Sequence, residues 1–195
     1  MFKKKVSSEL IDDLKNKLSA LGAEAEQVTD APVKEYMIKW MGAFAPDVNV
    51  YDAKSFCLPK MFFKNYLWNA FSFQKTDCYM DEYATEAFAG GFEGPVLVLY
   101  NSENLLFRIA DGTVLEPENV KTLGNVVIFT EDFERTYVNT GSEEFGPYYK
   151  TREMALSDES IDDVDPDALA EELAVDGDEC ECDCEGECTC GSEEE

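Results

Sequence analysis

Val96-Leu97-Val98-Leu99-Tyr100, then Asn101-Ser102-Glu103-Asn104, then Leu105-Leu106-Phe107-Arg108-Ile109 is the stretch that decides the fold. Two apolar runs of strand length, rich in β-branched and aromatic residues, flank four polar residues suited to a turn, which predicts a β-hairpin with a buried first strand. Downstream, Asn125-Val126-Val127-Ile128-Phe129 has the same character and predicts a third strand. Arg135-Thr136-Tyr137-Val138-Asn139 alternates as a fourth, and Tyr148-Tyr149-Lys150 offers a short edge.

Upstream the period changes. Leu10, Ile11, Leu14, Leu18 and Leu21 recur at helical spacing, with Gly22 placed for a left-handed C-terminal residue. A second helix is expected after Asp30, which can cap its free backbone donors, with Pro32 in its first turn and Val33, Tyr36, Met37, Trp40, Met41 and Phe44 as its stripe. Met61 to Phe73 fits either period, and Leu67, Asn69, Phe71 and Phe73 on one face favour a strand for its second half. A short helix is expected over Asp81 to Ala89. With helices preceding strands, the fold class is α+β: N-terminal helices packed on a mainly antiparallel sheet.

Composition divides the chain. There are 42 Asp+Glu, 16 Lys+Arg and no His, a net charge of −26 in 195 residues. Residues 153–195 hold 19 of the acids and no base, which leaves −7 for residues 1–152, and all 24 Phe, Tyr and Trp lie at or before Tyr149. The reading is a globular domain over 1–152 and a disordered acidic, Cys-rich tail over 153–195, with one short helical segment at 166–174. The start Met1-Phe2-Lys3-Lys4-Lys5-Val6 has the charge of a secretory leader without an apolar segment behind it, and no run approaches the roughly 18 apolar residues of a membrane span. A cytoplasmic setting with reduced thiols is therefore expected, without membrane contact.

The absence of imidazole excludes Ser-His-Asp and Cys-His nucleophiles and histidine-ligated zinc. Gly90-Gly91-Phe92-Glu93-Gly94 lacks the spacing and basic residue of a phosphate loop, and the net charge disfavours direct nucleic-acid binding. The chemical signal that remains is Cys180, Cys182, Cys184, Cys188 and Cys190, five thiols within eleven residues, a set able to wrap Zn(II) with four thiolates or Cu(I) with two or three. Cys57 and Cys78 stand apart from it.

Two further segments carry a resemblance: Leu67-Trp68-Asn69-Ala70-Phe71-Ser72-Phe73 with Cys78 and Glu86-Ala87-Phe88, and Asp132 to Thr140 with Phe145-Gly146-Pro147-Tyr148-Tyr149. They resemble an uncharacterised bacterial family, domain of unknown function 4275, over roughly residues 10 to 150, with the tail outside the match. The family pattern implies a histidine after the Trp and another in the late motif. This chain has Asn69 and Gly141-Ser142 there, so such chemistry would be missing. The resemblance implies a small bacterial protein without an assigned activity, and its motif residues Trp68, Phe71, Phe73, Tyr137 and Tyr148 read as packing of the sheet in preference to the alternative, a ligand site.

The leading functional expectation is a small non-enzymatic binding protein, of the immunity, antitoxin or inhibitor type, whose acidic and aromatic face engages a basic protein. The alternatives are a metal buffer using the tail cysteines, and a histidine-independent enzyme using Asp77, Asp81, Glu82, Tyr79, Tyr137 or Cys78.

Overall fold

The computed structural model describes residues 7–48, 59–72, 76–142 and 144–154. The tail, its segment at 166–174, its five cysteines, Cys57 and Phe73 lie outside these residues. Along the chain run helix α1 (Ser8–Ala20), strand β1 (Ala25–Gln27), α2 (Val33–Phe44), α3 (Pro59–Asn65), a 3-10 turn (Leu67–Ala70), β2 (Tyr79–Met80) and α4 (Asp81–Phe88). There follow β3 (Val96–Tyr100), β4 (Leu105–Ile109), α5 (Pro117–Val120), a 3-10 turn (Lys121–Leu123), β5 (Val126–Thr130), β6 (Arg135–Asn139) and β7 (Tyr148–Thr151). Among the described residues the seven strands form one sheet in the order β1-β4-β3-β5-β6-β7-β2, with every pairing antiparallel.

The expected α+β class and antiparallel sheet are what the chain forms, and the helices cover both faces. On one face, Leu14 and Leu18 of α1 and Ala84 and Phe88 of α4 pack on Val96, Val98, Phe107, Ile128 and Tyr137. On the other, Val33, Met37, Trp40 and Phe44 of α2, with Phe62, Leu67 and Phe71, pack on Leu97, Leu99, Leu106, Val127, Phe129 and Val138. Burial on both sides is why β3 and β5 read as unbroken apolar runs, since neither face of those strands meets water.

Within the described residues, each expected helix forms for the stated reason, with adjustments. Ser7 Oγ accepts from Leu10 N at 3.2 Å and caps α1, and Gly22 takes a φ of +85° after its end. The cap expected of Asp30 does not form. Pro32 occupies the N-cap position without a side-chain bond, and the Asp30 carboxylate instead accepts from the Tyr36 hydroxyl at 3.1 Å.

The strand expected over Leu67 to Phe73 is overturned. Leu67–Ala70 is a 3-10 turn, with Asn69 N bonded to Tyr66 O and Phe71 N to Trp68 O. An aromatic-rich segment satisfies both periods, and here it is buried as an aperiodic cap on α2: Phe71 packs against Trp40 at 5.2 Å and Tyr148 at 5.9 Å between ring centroids. The edge role expected of Tyr148–Lys150 is also revised, because β7 is flanked by β2, in the register Tyr79↔Tyr149 and Met80↔Tyr148. A two-residue strand is too short to show a pattern in sequence.

Candidate functional site: an acidic aromatic sheet edge

The segment from Asp77 to Glu86 runs from the outer strand of the sheet into a short helix, and it gathers most of the candidate residues. β2 holds Tyr79 against Tyr149, with the rings stacked at 6.2 Å and 17°. Asp81 N then donates to Pro147 O at 2.9 Å and turns the chain into α4. Asp81 takes a φ of +54°, a left-handed conformation that costs a non-glycine residue free energy, so this junction is set by tertiary contacts rather than by local preference.

Helical periodicity in α4 sends Ala84 and Phe88 inward, where Phe88 stacks on Tyr137 at 4.0 Å. The same geometry sends Glu82, Tyr83 and Glu86 outward. Five large apolar side chains are exposed among the described residues, and three of them lie here: Tyr79 at 49%, Met80 at 38% and Tyr83 at 72%. Asp81, Glu82 and Glu86 are exposed beside them, and α4 carries no base.

The spacing of two of these acids, and the position of one of them, work against the helix that carries them. Glu82 and Glu86 are four residues apart, where like charges repel, and Glu86 lies in the last turn, where the helix dipole disfavours a negative charge. Asp81 and Glu82, by contrast, sit in the first turn, where the dipole favours them.

Behind the edge lies a clasp that the sequence did not signal. Lys150 is 4% exposed and has no carboxylate partner among the described residues; its ammonium donates to two backbone carbonyls, Asp77 O and Met154 O, the latter at 2.9 Å. Burial lowers the Lys150 pKa, opposed by Asp77 and Cys78 nearby. Thr151 N donates to Met154 Sδ at 3.4 Å, so the last described residue is tied to β7 and, through Lys150, to the start of this edge.

Cys78 is half-buried, and burial pushes its thiol up to about 11, with Lys150 pulling down and Asp77 pushing further up. A thiol so placed is protonated at neutral pH, which weighs against a thiolate nucleophile. Tyr137, the remaining candidate, is not at the edge: it is fully buried beneath α4, and burial raises its hydroxyl to about 12 against the opposing effect of Thr85. The structure therefore brings Asp77, Cys78, Tyr79, Asp81 and Glu82 onto one segment and leaves Tyr137 in the core.

Sequence reasoning missed Met80, Tyr83, Glu86 and Lys150 as parts of this surface. The inward pair Ala84 and Phe88 was the available signal for Tyr83, since it fixes which residues of so short a helix must face water. No sequence pattern marks Lys150, whose partners are backbone atoms.

The two segments that carry the family resemblance meet at a different place. Trp68 stacks on Phe145 at 5.3 Å and 29°, joining the early motif to the late one. Asn101 directly follows β3 and Asn125 directly precedes β5; both amide atoms of Asn101 and Oδ1 of Asn125 are buried without a hydrogen-bond partner. Phe71 and Tyr148 are fully buried, as the resemblance implied, and Trp68 is half-buried.

Among the described residues, no group of three or more Cys, Asp or Glu is arranged to hold a metal ion, and no helix is long and apolar enough to cross a membrane. Residues 10–149 match the family model described as domain of unknown function (DUF4275), and the chain belongs to that family. No curated protein and no solved structure matches it.

Proposed function

We propose that this is a small acidic, non-enzymatic binding protein of the cytoplasm, of the immunity, antitoxin or inhibitor kind, whose β2–α4 edge takes a basic protein partner. The observation that carries the reading is the pairing of Glu82 with Glu86 around the exposed Tyr83. A protein free to optimise α4 for stability would place a cation at residue 86. Two unfavourable local choices around an exposed aromatic ring are the expected mark of a surface kept for recognition. Cations from a partner would relieve the repulsion, and the tyrosine rings supply apolar contact area at low entropic cost.

The test is recovery of binding partners from the native host by the full chain, at low and high salt, beside the Glu82→Lys/Glu86→Lys variant. A basic protein held at low salt, released at high salt and missed by the variant is the expected result. Recovery of no basic protein at either ionic strength would sink the reading.

A second reading is favoured by the spacing of Cys180, Cys182, Cys184, Cys188 and Cys190, which suits thiolate capture of a soft cation. Reduced protein would then take up one Zn(II) or several Cu(I) per chain, releasing protons as thiols become ligands. Equal metal uptake by a variant with all five changed to Ser would discard it.

A further inference from the structure

The docking edge is chemically more selective than its charge alone. Tyr79, whose ring stacks on Tyr149 on one side, and Tyr83 are exposed within the same ten residues that expose Asp81, Glu82 and Glu86. Rings beside carboxylates suit a flat, weakly hydrated guanidinium, which stacks on an aromatic face while its edge bonds a carboxylate in bidentate fashion. An ammonium is compact and strongly hydrated, and gains mainly from charge. The molecule makes a related contact on its own account on β6, two strands away in the sheet, where the Arg135 guanidinium lies 5.1 Å from the centre of the Phe92 ring.

A second feature bears on the partner's size. Because Lys150 holds Met154 O and Asp77 O together, the chain leaves the described body next to the segment that begins the docking edge. Residues 155–195, which start from that point, carry 18 acids and no base. Net negative charge on the chain as a whole speeds its encounter with a polycation.

Resting on the docking reading above, we infer that the partner presents an arginine-rich segment, whose guanidinium groups stack on Tyr79 and Tyr83 and pair with Glu82 and Glu86. The acidic charge that follows Met154 accelerates capture without selecting arginine over lysine.

The test uses full-length reduced protein and two fluorescent probes, nona-arginine and nona-lysine, followed by anisotropy at 0.15 M and 0.5 M salt. The higher salt screens the diffuse attraction of the acidic residues and leaves contact differences more visible. Wild type should prefer nona-arginine by roughly fivefold or more at 0.5 M salt. The Tyr79→Ser/Tyr83→Ser variant should bring that preference close to one. Because Tyr79 also stacks on Tyr149, Tyr83→Ser alone is measured beside it, and it should remove about half of the preference with an unchanged melting temperature. Neutralising Asp158, Glu159, Asp162, Asp163, Asp165 and Asp167 as the amides should slow association at 0.15 M salt and leave the arginine preference intact. If the tyrosine variants weaken both probes by the same factor, the edge is a docking surface without arginine selectivity and the inference is overturned while the docking reading stands. If they weaken neither probe, both are overturned.

Discussion

Trp40 Nε1 donates to Thr136 Oγ1 at 2.9 Å across 96 residues of sequence, and that hydroxyl donates in turn to Ile128 O at 2.9 Å. The chain of two bonds joins α2 to the middle of the sheet, and every member is buried. Thr136→Val keeps the shape and removes the acceptor, leaving an indole N–H unpaired in the core. The expected loss is about 1–3 kcal/mol of unfolding free energy in urea titration. A loss below a few tenths would mean that the indole finds another acceptor.

Glu86→Lys should stabilise the body while impairing docking. It replaces an i,i+4 repulsion with an attraction in the favourable order, Glu82 before Lys, and places a cation in the last turn of α4. Together these contribute about 0.5–1 kcal/mol, visible as a rise of a few degrees in melting temperature. A fall in melting temperature would show that Glu86 makes a structural contribution that its exposure conceals.

Alkali should weaken the body before acid chemistry of any other group matters. The Cys78 thiol is raised from its ordinary value near 9 to about 11, and the Tyr137 and Tyr148 hydroxyls to about 12, each chiefly by burial. For such groups the folded state holds its proton where the unfolded state has lost it. Their contribution is therefore complete below about pH 9 and is lost as pH rises through 11 and 12. Lys150, lowered by burial, acts in the opposite sense. Thermal melts from pH 7 to 11.5 should fall steadily above pH 9, with the earliest part of the fall absent in Cys78→Ser.

Two glycines separate backbone strain from steric exclusion. Gly22 and Gly91 both have positive φ, +85° and +66°. A Cβ on Gly22 meets nothing within 4 Å, whereas one on Gly91 would lie 2.3 Å from Gly112 O, beside the Phe92↔Gly112 bridge. Gly22→Ala should cost about 1–2 kcal/mol through conformation alone, and Gly91→Ala roughly twice that or more, because backbone must also move. Equal costs in denaturant titration would contradict the packing at that bridge.

Asn101→Leu tests the buried amides. Replacing an unpaired buried amide by an apolar group of similar size should leave stability unchanged or raise it by about 1 kcal/mol. A loss of stability would reveal that the Asn101 amide is satisfied in solution by an ordered water or another polar group.

What the sequence made legible was whatever repeats. The helical stripes of α1 and α2 and the strands β3, β4, β5 and β6 extend over enough residues for a period to show. Leu67–Ala70 is not legible because its apolar residues fit two periods at once, and the Phe71 ring that follows it packs on Trp40 and Tyr148, which are distant in sequence. β1 and β2 are three and two residues long and have no period to read. Asp30 does not cap α2 because the helix starts at Val33 with Pro32 at its N-cap, which leaves Asp30 two residues too early; its carboxylate accepts from the Tyr36 hydroxyl instead. At the candidate edge, Asp81 and Glu82 were visible as residues in a chain already rich in acids. Their association with exposed rings depends on which side of α4 faces inward, which the Ala84 and Phe88 pair signals and the packing of Phe88 on Tyr137 sets.

The double-sided burial of the central strands also governs how the body comes apart. Leu97 and Val98 are neighbours in β3, yet one belongs to the layer under α2 and the other to the layer under α1 and α4. Neither layer can open without stripping cover from the same strands, so the two halves of the core share one fate. The backbone amides of Val96–Tyr100 and Val126–Thr130 should therefore exchange with deuterium only through complete unfolding, at rates set by the global free energy. Those of β2 and the first turn of α4 should exchange through local openings far sooner. The β2–α4 edge is thereby free to fluctuate without putting the centre of the sheet at risk.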